Sequence, residues 1–465
     1  MLLRLFYDDT LAQASYLIGC QATGEALVVD PNRDADAYLA AAEAEGVRIA
    51  FVTETHIHAD YASGSRELAA RAGATLLLSD EGGPDWRYAF AEADGATLLR
   101  DGDRFSVGHI EVEVMHTPGH TPEHLSFVVT DGATTGEPMG ILSGDFIFVG
   151  DVGRPDLLER AAGLAGTMEA SARQLFESLQ RVRDLPGHLQ VWPGHGAGSA
   201  CGKALGAVPS STLGYERLVN WAFGHDEEAG FVGAVLEDQP EPPRYFATMK
   251  HLNRVGPPIL GGLTEPECLE ASRLPDVLAE GGIVVDCRER EAFAAGHIPG
   301  TLLVPLNRSF CTWAGSLLPY DRPIHLLAPS RAAAVEAARR LAFIGLDRVA
   351  GYFGSEAFAE ATLAEADVVS VQRAHELHRE GGFLLDIRRA TEWRAGHVPG
   401  AHHRYLGALV EDRSGLPDDT AVLLLCRSGA RSAIAQSLLL AEGRRAINVE
   451  GGIEAWIGEG LPVGR

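Results

Sequence analysis

Two kinds of hydrophobic pattern divide the chain. Up to about residue 255, short apolar runs follow one another between turn signals: ALVVD, RIAFVTET, ATLLLSD, IEVEVMHT, LSFVVTD and MGILSGD. Runs of this length, rich in β-branched residues and bounded by Gly, Asp and Pro, predict strands. Helical periodicity is sparser there, over 34–45 and 168–182. The pattern predicts an α/β sandwich with its loops gathered along one edge. Further on the rhythm changes. Short apolar runs such as 283–285 and 422–425 alternate with helical stretches such as 433–442. Alternation of that kind predicts parallel sheets with helices on both faces.

This later region repeats itself. VVDCREREAFAAGHIPGTLLVPL, beginning at Val284, returns one hundred residues on as LLDIRRATEWRAGHVPGAHHRYL. Asp286 pairs with Asp386, Arg288 with Arg388, Phe293 with Trp393, and GHIPG with GHVPG. Such a period marks a duplicated domain. The Pro- and Gly-rich stretch 257–273 reads as a linker. The expected domains are therefore 1–255, a linker over 256–272, then 273–363 and 366–465.

Composition narrows the function. A chain of 465 residues, 46% hydrophobic and 22% charged, is long enough for about three globular domains. A formal charge of -25 argues against nucleic acid or an anionic membrane as partner. No apolar run reaches the ~18 residues of a membrane span, and the N-terminus lacks a secretory signal, so a cytoplasmic protein is expected. Six scattered cysteines without CxxC spacing predict reduced thiols, most of them packed.

Four clusters carry metal-ligand chemistry: THIHADY at 55–61, HTPGH at 116–120, SGD at 143–145 and PGHG at 193–196. Each follows a β-like run, so each is expected on a loop leaving a strand. Imidazole and carboxylate together suit zinc or iron. In this order the clusters resemble the metallo-β-lactamase superfamily, which implies an αββα sandwich with metal at one edge. Where that family has HxHxDH, Tyr61 replaces the last His, and a two-zinc site is weakened. The resemblance is closer to the persulfide dioxygenases, a glyoxalase II-like branch holding a single Fe(II). It implies His56, His120 and Asp145 as ligands, with three open positions for O2 and substrate. His58, Asp60 and His195 would then orient ligands and water, or hold a second metal. Arg154, in GDVGRPD at 150–156, is expected as a clamp for a thiol substrate or as a structural anchor. Cys201, within PGHGAGSACGK, is expected to be packed.

The second repeat carries LLLCRSGARS, with Cys426 between a β-run and a helix. The unpaired N–H groups of a helix start favour a thiolate and hold an anionic persulfide. Arg427 and Arg431 add local charge, and Gly429 permits a tight loop. A Cys-dependent phosphatase would need five residues between Cys and Arg, whereas four separate Cys426 from Arg431. The two repeats resemble rhodanese domains, with CRSGARS as the active-site loop. In the first repeat Ala328 stands opposite Cys426, so that copy is expected to be inert, serving as a spacer or docking element. Cys287 is expected in the core, and His297 and His397 in fold-supporting turns.

The expectation is thus a multidomain α/β protein: an αββα metal domain followed by two rhodanese-like domains with parallel sheets. The resemblance implies oxidation of a low-molecular-weight thiol persulfide by O2 to sulfite and free thiol at mononuclear Fe(II). Cys426 would pass sulfur between persulfide, thiol, sulfite and thiosulfate. A homo-oligomer is compatible with this. The rival expectations are a zinc thioester hydrolase similar to glyoxalase II and a persulfide carrier or sensor without turnover.

Overall fold

In the computed structural model the described residues are 1–160, 166–203 and 205–464. They divide into two compact units, Met1–Leu263 with Ala342–Gly345, and Thr264–Leu341 with Leu346–Arg465. The division falls inside the stretch expected as a linker, and both repeats lie in the second unit apart from Ala342–Gly345 of the first.

The first unit stacks two six-stranded sheets. One runs in chain order from Leu2–Asp8 through Gln13–Cys20, Glu25–Val29, Arg48–Thr53 and Thr75–Ser79 to Thr97–Leu99. The other runs Ser211–Thr212, Gln190–Pro193, Gly140–Gly144, Leu125–Asp131, Ile110–His116, Arg104–Val107. The period-two pattern explains which faces meet. In Ile110–His116 the inward residues Ile110, Val112 and Val114 are buried, while Glu111 and Glu113 face Arg104 on the neighbouring strand. Gln13–Cys20 is buried on both faces: Tyr16 and Ile18 pack between the sheets, and Leu17 packs beneath the outer helices. Phe127 is fully buried in the inter-sheet core, worth about 1.5–3 kcal/mol of transfer free energy.

Helices cover the outside, including Ala35–Glu45 and Met168–Val182, both close to their expected positions. Three further short helices, Leu213–Val219, Glu228–Leu236 and Phe246–Val255, were not among the expected elements. The αββα expectation holds.

In the second unit each repeat builds its own parallel sheet. The first orders Leu302–Leu303, Ile283–Asp286, Ile324–Leu327, Val349–Phe353. The second orders Val368–Val369, Ala446–Val449, Val422–Leu425, Phe383–Asp386, His402–His403. The same brace recurs in both. Arg388 forks onto Asp386 (Nε–Oδ1 3.0 Å, Nη2–Oδ2 2.7 Å) and reaches the Gly396 carbonyl at 2.8 Å. Arg288 does the same with Asp286 and Gly296. His397 stacks on Trp393 and His297 on Phe293, so both histidines sit in turns of the fold. One boundary differs from expectation. The helix after Cys426 is Ala430–Ala441 and begins directly after Gly429, whose φ of 90° turns the chain into it. Among the described residues no helix is long and apolar enough to cross a membrane.

Candidate functional site

The metal-ligand clusters leave the C-terminal ends of their strands at one edge of the sandwich. His56 lies just past Arg48–Thr53, His120 past Ile110–His116, Asp145 past Gly140–Gly144, and His195 past Gln190–Pro193. Nitrogen and oxygen atoms of His56, His120 and Asp145 converge within 4.8 Å of one another. Asp145 Oδ2 is 3.4 Å from His120 Nε2 and 3.9 Å from His56 Nε2.

The far ring nitrogens are anchored. His56 Nδ1 is 2.9 Å from Thr55 Oγ1, and His120 Nδ1 is 3.0 Å from the Arg154 carbonyl. Each ring therefore turns Nε2 inward. Burial holds both imidazoles well below the ordinary histidine pKa, which keeps them neutral, as ligands must be. Burial also pushes the Asp145 carboxyl up to about 6. Among the described residues, His56 Nε2 and both Asp145 oxygens are buried without a hydrogen-bond partner. Orphaned buried donors and acceptors of this kind are costly unless an ion satisfies them. The set fits a metal held by two His and one carboxylate.

A second cluster lies alongside, formed by Asp60, His195 and Cys201. His195 Nε2 is 3.3 Å from Asp60 Oδ2 and 3.5 Å from Asp145 Oδ1, and its Nδ1 is 3.0 Å from the Ala12 carbonyl. Burial opposes charge on His195, but Asp145 and Asp60 outweigh it and its pKa rises. Asp145 thus presents one oxygen to each cluster. Cys201 is buried, with burial pushing its thiol well up. It is packed, and its sulfur also belongs to this second donor set.

His58 belongs to neither donor set, although its ring centroid lies 4.2 Å from that of His56. Its Nε2 meets Asp30 Oδ1 at 3.1 Å, and although burial opposes the charge, Asp30 raises its pKa to about 9. Tyr61, where the family pattern has a His, is buried, packs its ring 4.4 Å from that of His58 and donates to the Asp30 carbonyl. Of the two readings of Arg154, clamp or structural anchor, its contacts fit the anchor. Arg154 is fully buried, forks onto Asp156 at 2.7 Å and donates to the carbonyls of Ala200 and Pro240. With its donors so engaged it anchors the segments beside His120 and Cys201 and is not placed to clamp a substrate.

Two residues escaped the sequence reading. Asp30, at the end of ALVVD, accepts from Thr55 N–H and Oγ1 as well as meeting His58. His124 takes the Asp145 N–H at Nε2 (3.0 Å) and meets Thr117 Oγ1 through Nδ1 (2.8 Å), which aims Asp145. Glycine is needed close by: a Cβ at Gly194 would lie 2.8 Å from Asp145 Oδ1, and one at Gly144 2.6 Å from Thr55 Oγ1.

In the second unit, strand register places Leu327 opposite Asp286 and Leu425 opposite Asp386. The next residues, Ala328 and Cys426, are therefore structural equivalents. Cys426 is buried, and its sulfur accepts from the Gly429 N–H (3.1 Å) and the Ser432 hydroxyl (3.3 Å). Arg431 forks onto Glu392 with both bonds at 2.7 Å, and exposed Arg427 meets Glu454 at 2.6 Å. Both loop arginines therefore arrive with a carboxylate partner. Cys287 is buried, and burial pushes its thiol up.

The sandwich and the donor cluster at its edge have the fold and the candidate metal ligands of the metallo-hydrolase type. The metallo-beta-lactamase superfamily model matches residues 8–195, and the rhodanese-like domain model matches residues 370–459. A solved structure of a metallo-beta-lactamase from Staphylococcus aureus subsp. aureus COL is 43% identical with a TM-score of 0.68, covering 76% of this chain and 98% of that one. The chain belongs to the metallo-beta-lactamase superfamily, with a rhodanese-like domain after the sandwich. A hydroxyacylglutathione hydrolase of Rhodospirillum rubrum is 31% identical over 39% of this chain, which spans 60% of that protein's length. The mitochondrial persulfide dioxygenase of Bos taurus is 28% identical over 42% of this chain and 68% of its own.

Proposed function

We propose that the chain is a persulfide dioxygenase that oxidises a low-molecular-weight thiol persulfide to sulfite and passes sulfur through Cys426. The balanced reaction is RSS⁻ + O2 + H2O → RS⁻ + SO3²⁻ + 2H⁺. The sulfane sulfur gives up four electrons and O2 takes them. His56, His120 and Asp145 would hold Fe(II), which supplies a redox-active centre able to accept both O2 and sulfur. The protein's own part is positional. Thr55 and the Arg154 carbonyl fix the two imidazoles, His124 fixes Asp145, and Asp30 holds His58 Nε2 beside His56.

At Cys426 the transfer is a sulfur exchange without net oxidation. The thiolate attacks the sulfane sulfur of thiosulfate, a new S–S bond forms, and sulfite leaves; the reverse consumes sulfite. The Gly429 N–H and Ser432 hydroxyl stabilise the anionic sulfur throughout. The observation that carries the reading is the His–His–Asp set joined in one chain to a cysteine loop with sulfur-directed donors. The relative named as a persulfide dioxygenase supports it.

A zinc thioester hydrolase is the second reading, favoured by the Asp60–His195–Cys201 donors and the hydroxyacylglutathione hydrolase relative. Oxygen uptake on adding glutathione persulfide, measured on iron-loaded and zinc-loaded protein, separates the two. Uptake with sulfite formed only in the iron form is expected. Lactoylglutathione hydrolysis by the zinc form without oxygen uptake in either would establish the second reading instead.

A further inference from the structure

The repeat with Ala328 in place of the loop cysteine shares a cavity with the repeat that carries Cys426. A cavity of about 490 Å³ lies within the second unit, and both repeats line it. Its floor is the loop that wraps the catalytic sulfur, with Arg427, Ser428 and Arg431. Its opposite wall comes from the first repeat, with Arg290, Asn307 and Trp313. The two halves are fastened together. Arg290 Nη1 donates to the Ser428 carbonyl at 3.0 Å, and the Ser437 hydroxyl on the helix after Cys426 accepts from the Leu303 N–H at 2.9 Å. Phe293, Leu303, Ala366 and Ala433 form a shared apolar cluster beneath.

The lining has a chemical bias. It holds three guanidiniums (Arg290, Arg427, Arg431) against two carboxylates (Glu289, Glu291), in a chain of formal charge -25. The partners of Arg427 and Arg431, Glu454 and Glu392, lie outside the lining, whereas Arg290 Nε is paired with the lining carboxylate Glu291 at 2.7 Å and must share its guanidinium between that carboxylate and an incoming anion. Trp313, Pro305 and Ile434 offer apolar surface, and Asn307 and Ser309 offer amide- and hydroxyl-type hydrogen bonds. A bare oxyanion would leave most of this volume empty, whereas small-molecule sites of ~300–1,000 Å³ fit ligands with a carbon skeleton.

Resting on the sulfur-transfer reading of Cys426, we propose that the first repeat is the specificity wall of that site, and that Arg290 binds the anionic group of a low-molecular-weight thiol that takes or gives the sulfur. In the acceptor direction the thiolate RS⁻ attacks the outer sulfur of the Cys426 persulfide. The new bond joins R–S to that sulfur, the Cys426 S–S bond breaks, and Cys426 leaves as thiolate. Charge and electrons balance without a further reactant. Position 290 is the point at which the repeats diverge for this purpose, since its counterpart in the second repeat is Ala390.

The test uses the full chain with thiosulfate as donor and three acceptors: glutathione and coenzyme A, both anionic, and neutral 2-mercaptoethanol. Mass spectrometry first asks whether Cys426 gains one sulfur atom. The wild type is expected to take sulfur onto Cys426 and to show a lower KM for at least one anionic thiol than for 2-mercaptoethanol. Arg290→Ala should raise that KM about tenfold, as loss of a charged hydrogen bond does, with 2-mercaptoethanol turnover changed less than about twofold. Arg290→Lys should recover part of the preference, and Trp313→Ala should raise the same KM by a smaller factor. Equal loss with all three thiols would reduce Arg290 to a prop for the Ser428 carbonyl and overturn the proposal. So would an unchanged Arg290→Ala, or a wild type indifferent to charge. Absence of persulfide on Cys426 would instead remove the sulfur-transfer reading itself.

Discussion

The two repeats of the second unit are one fold with two outcomes. Both close a parallel sheet, both fork an Arg onto an Asp beside the GHxPG turn, and both stack the turn's His on an aromatic ring. They differ in the few residues after one strand. The second repeat runs Cys426–Gly429 before its helix, placing an N–H and a hydroxyl on a sulfur. The first has Ala328, Pro329 and Ser330 before the helix at Arg331, one residue fewer and no sulfur. The scaffold is therefore preserved by its own braces, independently of the chemistry it can host. What remains of function in the first repeat has to be sought on the surface it turns toward Cys426.

The sharpest break of this comparison removes the sulfur. Cys426→Ser should bring thiosulfate-to-thiol transfer down to the uncatalysed background, because no persulfide can form. Oxygen uptake with free persulfide should survive. Cys287→Ser should leave transfer within about twofold, since that thiol is buried in the inert copy. His120→Ala should do the reverse of Cys426→Ser, losing bound iron and oxygen uptake while sparing transfer. Loss of both activities in either variant would sink the two-site reading.

The braces give the next largest effect. Asp386 is fully buried and Arg388 only 5% exposed, so Asp386→Ala leaves a buried guanidinium uncompensated. The cost should be about 3–5 kcal/mol, read as a lowered unfolding midpoint. Asp286→Ala should cost less. Arg288 is 17% exposed and keeps a cation–π contact, 3.6 Å from the Phe358 ring centroid. Equal losses would mean that the two copies are not differently solvated. A smaller effect is expected inside the active loop. Ser432→Ala removes one of two donors to the Cys426 sulfur and should slow transfer about tenfold, with the Gly429 N–H still in place.

How far the sequence reveals these features depends on what each residue must do alone. The motifs holding His56, His120, Asp145 and Cys426 follow strands, so their loop positions could be read directly, while the choice of His56, His120 and Asp145 as ligands came from the family resemblance. The strand pattern revealed the sandwich for the same local reason. Asp30 and His124 could not be read so. Their roles exist only because strands far apart in sequence bring Asp30 to Thr55 and His124 to Asp145. The carboxylate ending ALVVD and the His four residues beyond His120 were the available signals. Arg154 stayed open between clamp and anchor because sequence does not show how a guanidinium's donors are engaged. The start of the helix at Ala430 was hidden by a glycine in left-handed conformation, which apolar periodicity does not register.

The smallest expected effect is the most searching for the two repeats. Ala328→Cys, made in a Cys426→Ser background, puts a thiol at the equivalent strand end. A thiol alone should confer no transfer. The shorter link reaches the helix through Pro329, which has no N–H to donate, and lacks the counterpart of Gly429, whose N–H faces the sulfur in the active copy. Ala328 is also fully buried, as Cys426 is, so the two positions differ in their loops rather than in exposure. Burial without directed donors raises a thiol's pKa and blunts its nucleophilicity. Persulfide measured on the introduced thiol above the background of the Cys426→Ser parent would show that the strand end suffices. The loop would then be a refinement of the site rather than its basis.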